Sequence, residues 1–311
     1  MILLKRFFWR LFAALGVLLG AITLTFIAIN TASGDPALVI LGGDEAAVSK
    51  QALDQVRMEY GLDRPLLDQY LRYMVRLAGG DMGESYRLHI PVTKAIAQQI
   101  GATIALTVPA SITAVVLAIV IALLTARRSN WIRSLSSNSE LVISSMPSFV
   151  VGILLLLVFS FQFHLLPASG SRDWQSLVLP TLAVALPISA VLAQVLRQEL
   201  EDILEMPFIL TARARGMRDA SVRLLHALRH AMIPVITLSG FIFASLLGGT
   251  VVVETLFSRQ GVGRLLADAV TNKDIPLVLG VTTLSAIIYV TVNLLVDIIY
   301  TFIDPRVKTT A

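Results

Sequence analysis

Residues 103–126 read TIALTVPASITAVVLAIVIALLTA, a run of apolar and small polar residues without a charged side chain. As an α-helix this run would be about 36 Å long, which exceeds the roughly 30 Å hydrocarbon core of a bilayer. Backbone amides in lipid have no water to bond with, so a spanning segment must satisfy them as a helix. The stretch therefore predicts a transmembrane helix, with Pro109 tolerated inside it.

Five further stretches share this length and composition: residues 11–29, 141–165, 177–196, 232–253 and 277–303. Over all 311 residues, 56% are hydrophobic and 15% are charged, whereas a soluble domain carries about 25% charged residues. We therefore expect an all-α polytopic membrane protein with six transmembrane helices. The further prolines in these stretches are expected to be ordinary kinks: Pro147, Pro180, Pro187 and Pro234.

The N-terminal stretch resembles a signal peptide only in part. Lys5, Arg6 and Arg10 precede the apolar run 11–29, but this run is longer than the roughly 7–15 residues of a signal peptide's apolar region. No small-residue cleavage site follows it cleanly. We expect a retained first span that acts as its own targeting signal.

Basic residues in the short loops predict the orientation. The loops 127–140 and 197–231 carry nine arginines, and the tail adds two more basic residues: Arg127, Arg128, Arg133, Arg197, Arg213, Arg215, Arg218, Arg223, Arg229, Arg306 and Lys308. The intervening turns carry fewer: Arg172, Arg259, Arg264 and Lys273. We expect a multi-pass protein of the bacterial inner membrane with both termini in the cytoplasm.

The chain divides by sequence into an N-terminal tail and first span (1–29), an outer segment (30–102) and a five-span core (103–311) that includes the cytoplasmic loop 197–231. Within the outer segment, apolar residues recur at helical spacing over 49–78, which predicts amphipathic helices outside the bilayer, one of them starting near Pro65. The cytoplasmic loop breaks at Pro207, continues helically through Ala214, turns at Gly216 and resumes as a basic amphipathic helix. A short helix between two spans is a suitable docking element for a partner.

Enzymatic motifs are missing. The sequence contains no GxxxxGK[ST], HExxH or GxSxG, so it has no phosphate-binding loop, zinc-protease site or nucleophile elbow of these types. The 311 residues contain no cysteine. His226 and His230 share a helix face at i, i+4 spacing, but no third metal ligand is evident, so interfacial polar residues are favoured over a metal site. The net charge of +4 fits cytoplasmic loops beside anionic lipid rather than nucleic-acid binding.

Asp297 lies within the last apolar stretch, where a carboxylate costs on the order of 3 kcal/mol near the bilayer centre. It is either a buried polar contact near the cytoplasmic end of the span, the reading that we favour, or a group of the transport pathway. A proton-coupled carrier would carry more such groups.

Several motifs in order along the chain resemble one family. Residues 211–216 read TARARG, and HALR at 226–229 and IP at 233–234 follow. GDPA at 34–37, YGLDRPL at 60–66, GDMGES at 80–85, LPASG at 166–170, ETLF at 254–257, GVGR at 261–264 and DIPL at 274–277 agree in register. Together they resemble, over essentially the whole chain, the EAA-loop permeases of ATP-binding-cassette (ABC) importers for dipeptides, oligopeptides and nickel. The first permease of such systems, with its long outer loop, is the most similar.

The resemblance implies a type I ABC-importer permease that is not itself an enzyme and binds no cofactor. It implies a second permease, two cytoplasmic ATPases that use ATP and Mg, and an extracytoplasmic solute-binding protein as partners. Residues 207–221 would form the coupling helix, and the residues that would contact the ATPase are Thr211, Ala212, Arg213, Arg215, Gly216 and Arg218. The solute would be a peptide or a similarly small polar solute, with nickel or a metal chelate as alternatives.

The chain departs from the family pattern at three places. Leu210 replaces an arginine, Ser33 replaces a proline, and Arg259-Gln260 stands where tryptophan-proline is common. Two other function classes remain as rivals: a secondary transporter or channel, which would show inverted repeats and charges near the midplane, and a membrane enzyme, which the missing motifs disfavour.

Overall fold

A computed structural model describes residues 2–31, 35–41, 49–171 and 173–303. Several residues used above lie outside these ranges: Ser33, Gly34, Arg172, Arg306 and Lys308. The helix that contains Asp297 is described, but the side chain of Asp297 is outside what the structure describes. Within the described residues the fold is helical, and the strand-like pairing found there is one isolated bridge between Glu84 and Pro91.

The helices follow one another along the chain. They are α1 (Ile2–Thr31), α2 (Pro36–Ile40), α3 (Lys50–Tyr60), α4 (Leu66–Ala78), α5 (Val92–Thr125), α6 (Asn130–Ser145), α7 (Ser148–Leu155), α8 (Gln175–Ile203), α9 (Pro207–Ala214), α10 (Asp219–Ser221), α11 (Leu228–Gly249), α12 (Val251–Leu256), α13 (Val262–Thr271) and α14 (Ile275–Ile303). Two π-helical segments, Leu156–Gln162 and Val222–Ala227, continue α7 and precede α11.

Among the described residues, five helical segments are long and apolar enough to cross a membrane, and one bent pair makes a sixth if it counts as a single span. The five are Phe12–Thr31, Val92–Thr125, Gln175–Ile203, Asp219–Phe243 and Ile275–Leu295, and the pair is Asn130–Ser145 with Ser148–Gln162. The prediction of an all-α polytopic protein is confirmed.

The prediction of a continuous helix over 141–165 is wrong. The chain bends by 104° between α6 and the helix that follows. Pro147 lacks the amide hydrogen that a continuous helix needs, and it disfavours helical geometry in the residue before it. Met146 accordingly has an extended backbone, with φ −83° and ψ 128°. Pro147 is therefore a helix break rather than an ordinary kink, whereas Pro109, Pro180, Pro187 and Pro234 all lie inside helices.

Two other boundaries differ from the sequence expectation. Helix α5 begins at Val92, well before the apolar run that starts at Thr103, because residues 92–102 extend the same helix with more polar side chains. The stretch 232–253 is interrupted at Thr250, between α11 and α12. The lengths of the apolar stretches predicted which parts of the chain form spans, but not the residues at which the helices begin and end.

The chain forms two compact units, residues 1–103 with 260–290 and residues 104–259 with 291–311. In the first unit, the start of α5, α13 and the start of α14 bury a cluster that includes Val92, Val262, Leu277 and Val281. A second cluster joins α1, α4 and α14 through Ile22, Phe26, Tyr73, Ile275 and Leu279.

The predicted amphipathic helices in residues 49–78 are confirmed as α3 and α4. Ser49 caps α3 by accepting a hydrogen bond from the amide of Ala52, and α4 begins directly after Pro65. Tyr73 on α4 is buried, and its hydroxyl lies 3.1 Å from that of Thr283 on α14. One face of α4 is thus fixed against the first unit's core.

In the second unit, alanines let α5 approach its neighbours closely. Ala114, Ala118, Ala122 and Ala126 recur every four residues and have no exposed surface. A four-residue repeat lies on one helix face, and three of these alanines share a buried cluster with Leu192, Leu196 and Leu200 of α8. This cluster is the support on which the loop after α8 rests.

Candidate functional site: the 204–223 loop

The chain after α8 folds into a short helix with one buried and one exposed face; we call residues 204–223 the 204–223 loop. Ile209 and Ala212 on α9 point into the buried cluster of the second unit. Phe208 and Leu210 are 40% and 58% exposed. Apolar side chains of this size on a loop are typical of a surface that another protein covers.

Gly216 ends α9 in a left-handed turn, as predicted from the sequence. Its φ is +79°, and its amide donates to the carbonyl of Arg213 at 2.9 Å. The amide of Met217 donates to the carbonyl of Ala212 at 3.3 Å. These two bonds are those of a Schellman motif, which favours glycine at this position. A Cβ on Gly216 would meet no atom within 4 Å, so the requirement for glycine comes from the backbone alone.

Arg223 fixes the end of the 204–223 loop to α5. Its Nη1 donates to the carbonyls of Ala126 at 2.8 Å and Leu123 at 3.4 Å, and its Nε donates to Asp219 at 2.7 Å. The carbonyls at a helix C-terminus carry partial negative charge, so a buried cation is stabilised there. Counting Arg223 as a loop charge was therefore wrong, since it is buried and serves the fold.

Asp219 organises the basic side of the loop. It accepts from Arg223 and also from Arg213, whose Nη2 lies 3.1 Å away. The hydrogen bond from Arg223 is the main cause that holds the pKa of the Asp219 carboxyl below its usual value, against a smaller opposing effect of burial. The carboxylate therefore remains charged at neutral pH.

The residues predicted to contact the ATPase do not share one environment. Thr211, Arg213, Arg215, Gly216 and Arg218 are exposed, whereas Ala212 faces the core. The Thr211 hydroxyl donates to the carbonyl of Pro207 at 3.2 Å. The sequence pattern alone could not separate the buried Ala212 from the five exposed residues.

Ion pairs connect the neighbouring loop after α5 to the end of α8. Arg127 donates to Glu205 at 2.9 Å and Arg133 to Glu201 at 3.0 Å. Glu201 is 17% exposed, and its three partners in these pairs are exposed. Ion pairs at such a surface contribute little to stability, about 0–1 kcal/mol each. Their effect is to keep two basic loops together on one surface of the second unit.

A buried ion pair that the sequence did not predict joins α6 and α8. Arg197 donates to both carboxylate oxygens of Glu140, at 2.6 and 2.7 Å, and the hydroxyl of Ser136 donates to the same carboxylate at 2.6 Å. The Arg197 and Glu140 side chains are only 8% and 4% exposed. Counting Arg197 as a loop charge was therefore wrong. The available signal was Glu140 itself, a single carboxylate beside an apolar stretch.

Arg259, where the resembling family commonly has tryptophan, is also buried. Its Nη1 donates to the carbonyls of Gly170 at 3.2 Å and Ser176 at 3.4 Å. Burial lowers the pKa of its guanidinium. This arginine therefore holds the 166–176 turn and is not a solvated loop charge.

His226 and His230, which follow the 204–223 loop, are not joined by a third metal-ligating side chain among the residues that the structure describes. His230 is exposed and lies edge-on to Phe208, with ring centroids 5.4 Å apart. The π-helical segment Val222–Ala227 contains His226 but not His230. No group of three metal-ligating side chains is found in the part of the chain that the structure describes.

A buried carboxylate organises the first unit. Asp274, one residue before α14, accepts hydrogen bonds from the Ser85 hydroxyl and from the amides of Tyr86 at 3.2 Å and Arg87 at 3.3 Å. It also accepts from the amide of Leu277 at 3.3 Å, which makes it the N-cap of α14. Asp274 lies in the DIPL motif and Ser85 in the GDMGES motif, so two of the motifs quoted above meet at one side chain.

The chain matches known proteins along its whole length. Residues 97–309 match the family model described as binding-protein-dependent transport system inner membrane component, and residues 3–107 match the N-terminal model of the same membrane components.

Among curated proteins, the glutathione transport system permease protein GsiC of Pectobacterium atrosepticum is 35% identical over 308 residues, covering 98% of this chain and 99% of the relative. GsiC of Escherichia coli K12 is 35% identical over 300 residues, covering 96% and 97%. GsiC of Salmonella paratyphi A is 36% identical over the same length. Proteins of this family are transport subunits of the inner membrane and not enzymes. The chain therefore belongs to the binding-protein-dependent transport system inner membrane components, and it is a permease subunit of an ABC importer of the dipeptide/oligopeptide type.

Proposed function

We propose that this permease carries a short peptide of about the size of glutathione, and that the 204–223 loop transmits ATP hydrolysis in a partner ATPase to the spans. The observation that carries the proposal is the two-faced α9 helix. One face is buried in the core through Ile209 and Ala212, while Phe208 and Leu210 are exposed beside arginines. Because one side of α9 is packed on the core, a partner that displaces its exposed side would also displace α5 and α8.

The partner on this face is proposed to be one of two ATPase subunits that bind ATP and Mg. Exposed apolar side chains fit a groove, and Arg213, Arg215 and Arg218 fit acidic groups around its rim. A second permease would complete the pathway, and a solute-binding protein would approach the segment 30–102.

The loop's role is tested with the complete complex. Leu210→Glu places a charge at an exposed position, so the fold should persist while ATPase retention falls. Leu67→Glu on α4 is the matched control, since Leu67 is similarly exposed at 69%. Equal ATPase retention and ATP turnover in the wild type and Leu210→Glu would remove the loop from the coupling path.

The proposed topology places both termini and the 204–223 loop in the cytoplasm. Because the 311 residues contain no cysteine, a single Leu210→Cys or Gln51→Cys substitution provides a unique label, and Gln51 is exposed on α3. A membrane-impermeant thiol reagent should label Gln51→Cys in spheroplasts and Leu210→Cys only in inverted vesicles. The reverse pattern would contradict the orientation.

The proposed solute rests on the relatives that are named as glutathione transport permeases. The test is uptake of labelled glutathione by the complex reconstituted in proteoliposomes with its solute-binding protein. Unlabelled dipeptide, pentapeptide and nickel serve as competitors. Competition by nickel but not by peptide would overturn the proposed solute and leave the coupling role of the loop untouched.

A further inference from the structure

An amphiphilic cavity of about 540 Å³ lies in the first unit, where α4 meets the end of α1 and the start of α14. Its apolar wall includes Phe26, Ile275 and Leu279, which belong to candidate membrane spans. Its polar wall includes Arg64, Arg72 and Arg76 from the segment outside those spans. One side of the cavity therefore belongs to the membrane and the other to the water-facing segment.

The apolar wall lies at a shallow depth in the spans. Phe26 comes five residues before the end of the span Phe12–Thr31, and Leu279 four residues after the start of Ile275–Leu295. At 1.5 Å per residue, both lie about 6–8 Å inside the span ends. This is the depth at which headgroups meet acyl chains, so the cavity is placed to hold both parts of a lipid.

The charge of the cavity favours an anion. Among the described residues that line it, three are arginines and one, Glu59, is acidic. Arg64 and Arg72 both contact Asp68, at 3.4 and 2.9 Å, and so share one countercharge. Arg76 makes no side-chain hydrogen bond or ion pair with any residue that the structure describes. Burial raises the pKa of Tyr86 to about 12, and the positive charge of Arg76 opposes this rise.

The exposed face of α4 continues this surface. Leu67, Leu71 and Val75 recur every four residues and are 69%, 53% and 74% exposed, and the last two also line the cavity. A helix with one face packed on the core, a second face apolar and exposed, and arginines between them is typical of a helix that lies in the lipid interface.

We propose that this cavity binds one anionic phospholipid, with its phosphate at Arg76 and the adjoining arginines. An acyl chain would lie along the exposed Leu71 and Val75, with the edges of Phe26 and Leu279 as the floor of the cavity. The continuity of the apolar wall with the spans favours lipid over a protein partner, because a docking protein would meet the arginines but would not reach 6–8 Å into the spans. The lipid would fix α4 to the outer ends of α1 and α14.

Native mass spectrometry of the full complex tests the proposal. Delipidated complex is titrated with dioleoyl phosphatidylglycerol, with dioleoyl phosphatidylcholine, and with glycerophosphoglycerol, which is the headgroup without chains. Phosphatidylglycerol should bind in one tight step, with phosphatidylcholine several-fold weaker and the free headgroup not bound. Arg76→Glu should weaken phosphatidylglycerol binding on the order of tenfold, and Leu71→Trp, at an exposed position, should block the cavity without unfolding the chain.

Arg87→Glu is the matched control, because Arg87 is an exposed arginine of the same segment that does not line this cavity. An equal loss in Arg87→Glu and Arg76→Glu would overturn the site, as would full binding by both Arg76→Glu and Leu71→Trp. Equal binding of the free headgroup would show an anion site without a lipid. Displacement of the lipid by the solute-binding protein would assign the surface to that partner instead.

Discussion

Arg223 in the 204–223 loop and Asp274 at the start of α14 are both buried charges that hold a loop against the end of a long helix, with opposite sign. Arg223 binds carbonyls at the C-terminal end of α5, and Asp274 binds amides near Tyr86 and at the N-terminal end of α14. The partial charges of the helix ends are negative at the C-terminus and positive at the N-terminus. Each loop thus uses the one sign of charge that its helix end can stabilise.

The turns after α9 and α4 are also alike. Gly216 ends α9 with φ +79°, and Gly80, after α4, has φ +81°; a Cβ at either position would meet no atom within 4 Å. The amides of Gly80 and Asp81 donate to Leu77 and Arg76, the same pair of bonds as after α9. The two turns have the same backbone conformation and the same pair of hydrogen bonds. Any difference between the effects of substitutions at the two glycines must therefore come from the surface that each turn faces.

The largest expected effect is that of Asp274→Ala. It leaves the Ser85 hydroxyl and three amides without this acceptor, of which those of Tyr86 and Arg87 are part-buried and that of Leu277 is buried. The expected loss in unfolding free energy is about 3–5 kcal/mol. Chemical unfolding in detergent measures it. Asp268→Ala removes an exposed carboxylate from α13 and should change stability by less than about 0.5 kcal/mol. Similar losses in both variants would contradict the role given to Asp274.

Arg223→Met should have the next largest effect. The side chain keeps much of its apolar volume but loses its bonds to α5, at an expected cost of about 2–3 kcal/mol. Because the lost contact is at the loop, ATPase retention should fall together with stability. Arg229→Met, at an exposed position of α11, is the control. A stable Arg223→Met variant with normal ATPase retention would break the parallel with Asp274.

Gly216→Val and Gly80→Val test the two left-handed turns against each other. Each forces a β-branched residue into a left-handed conformation, at about 1–2 kcal/mol, so their unfolding midpoints should shift alike. Only Gly216→Val should lower ATPase retention by the complex, since only that turn faces the proposed ATPase. Equal loss of ATPase retention in both variants would show that strain alone explains the effect.

The smallest effect concerns pH. The pKa of Asp219 is lowered, so its contribution to stability is present above the ordinary pKa of an aspartate and is lost only as pH falls through the lowered value. Labelling of Leu210→Cys, corrected for thiol ionisation, should therefore be constant between about pH 5 and 8. A change in labelling between these pH values would show that a group other than Asp219 keeps the loop ordered.

The sequence predicted the span positions, the amphipathic outer helices and the turn at Gly216, because each follows from local composition or from one residue's backbone preference. It did not predict that Arg197, Arg223 and Arg259 are buried. Asp219 lies only four residues from Arg223, but the partners that bury these arginines are Glu140 and main-chain carbonyls many residues away. A pattern of nearby residues does not indicate such distant contacts. The break at Pro147 was missed for the same kind of reason, since Pro109 and Pro187 have similar surroundings in sequence and remain inside helices.

The chain bends by 104° at Pro147, and the path of this bent segment determines whether the number of membrane crossings in the proposed topology is even or odd. Each crossing moves the chain to the other side of the bilayer, so an even number returns it to the side on which it began. If α6 and the helix after it cross as one unit, Arg127 and Arg213 emerge on the same side, and six crossings bring both termini together. If the pair turned back within the bilayer, every later loop would change sides. A single bent segment therefore sets the side for everything that follows it.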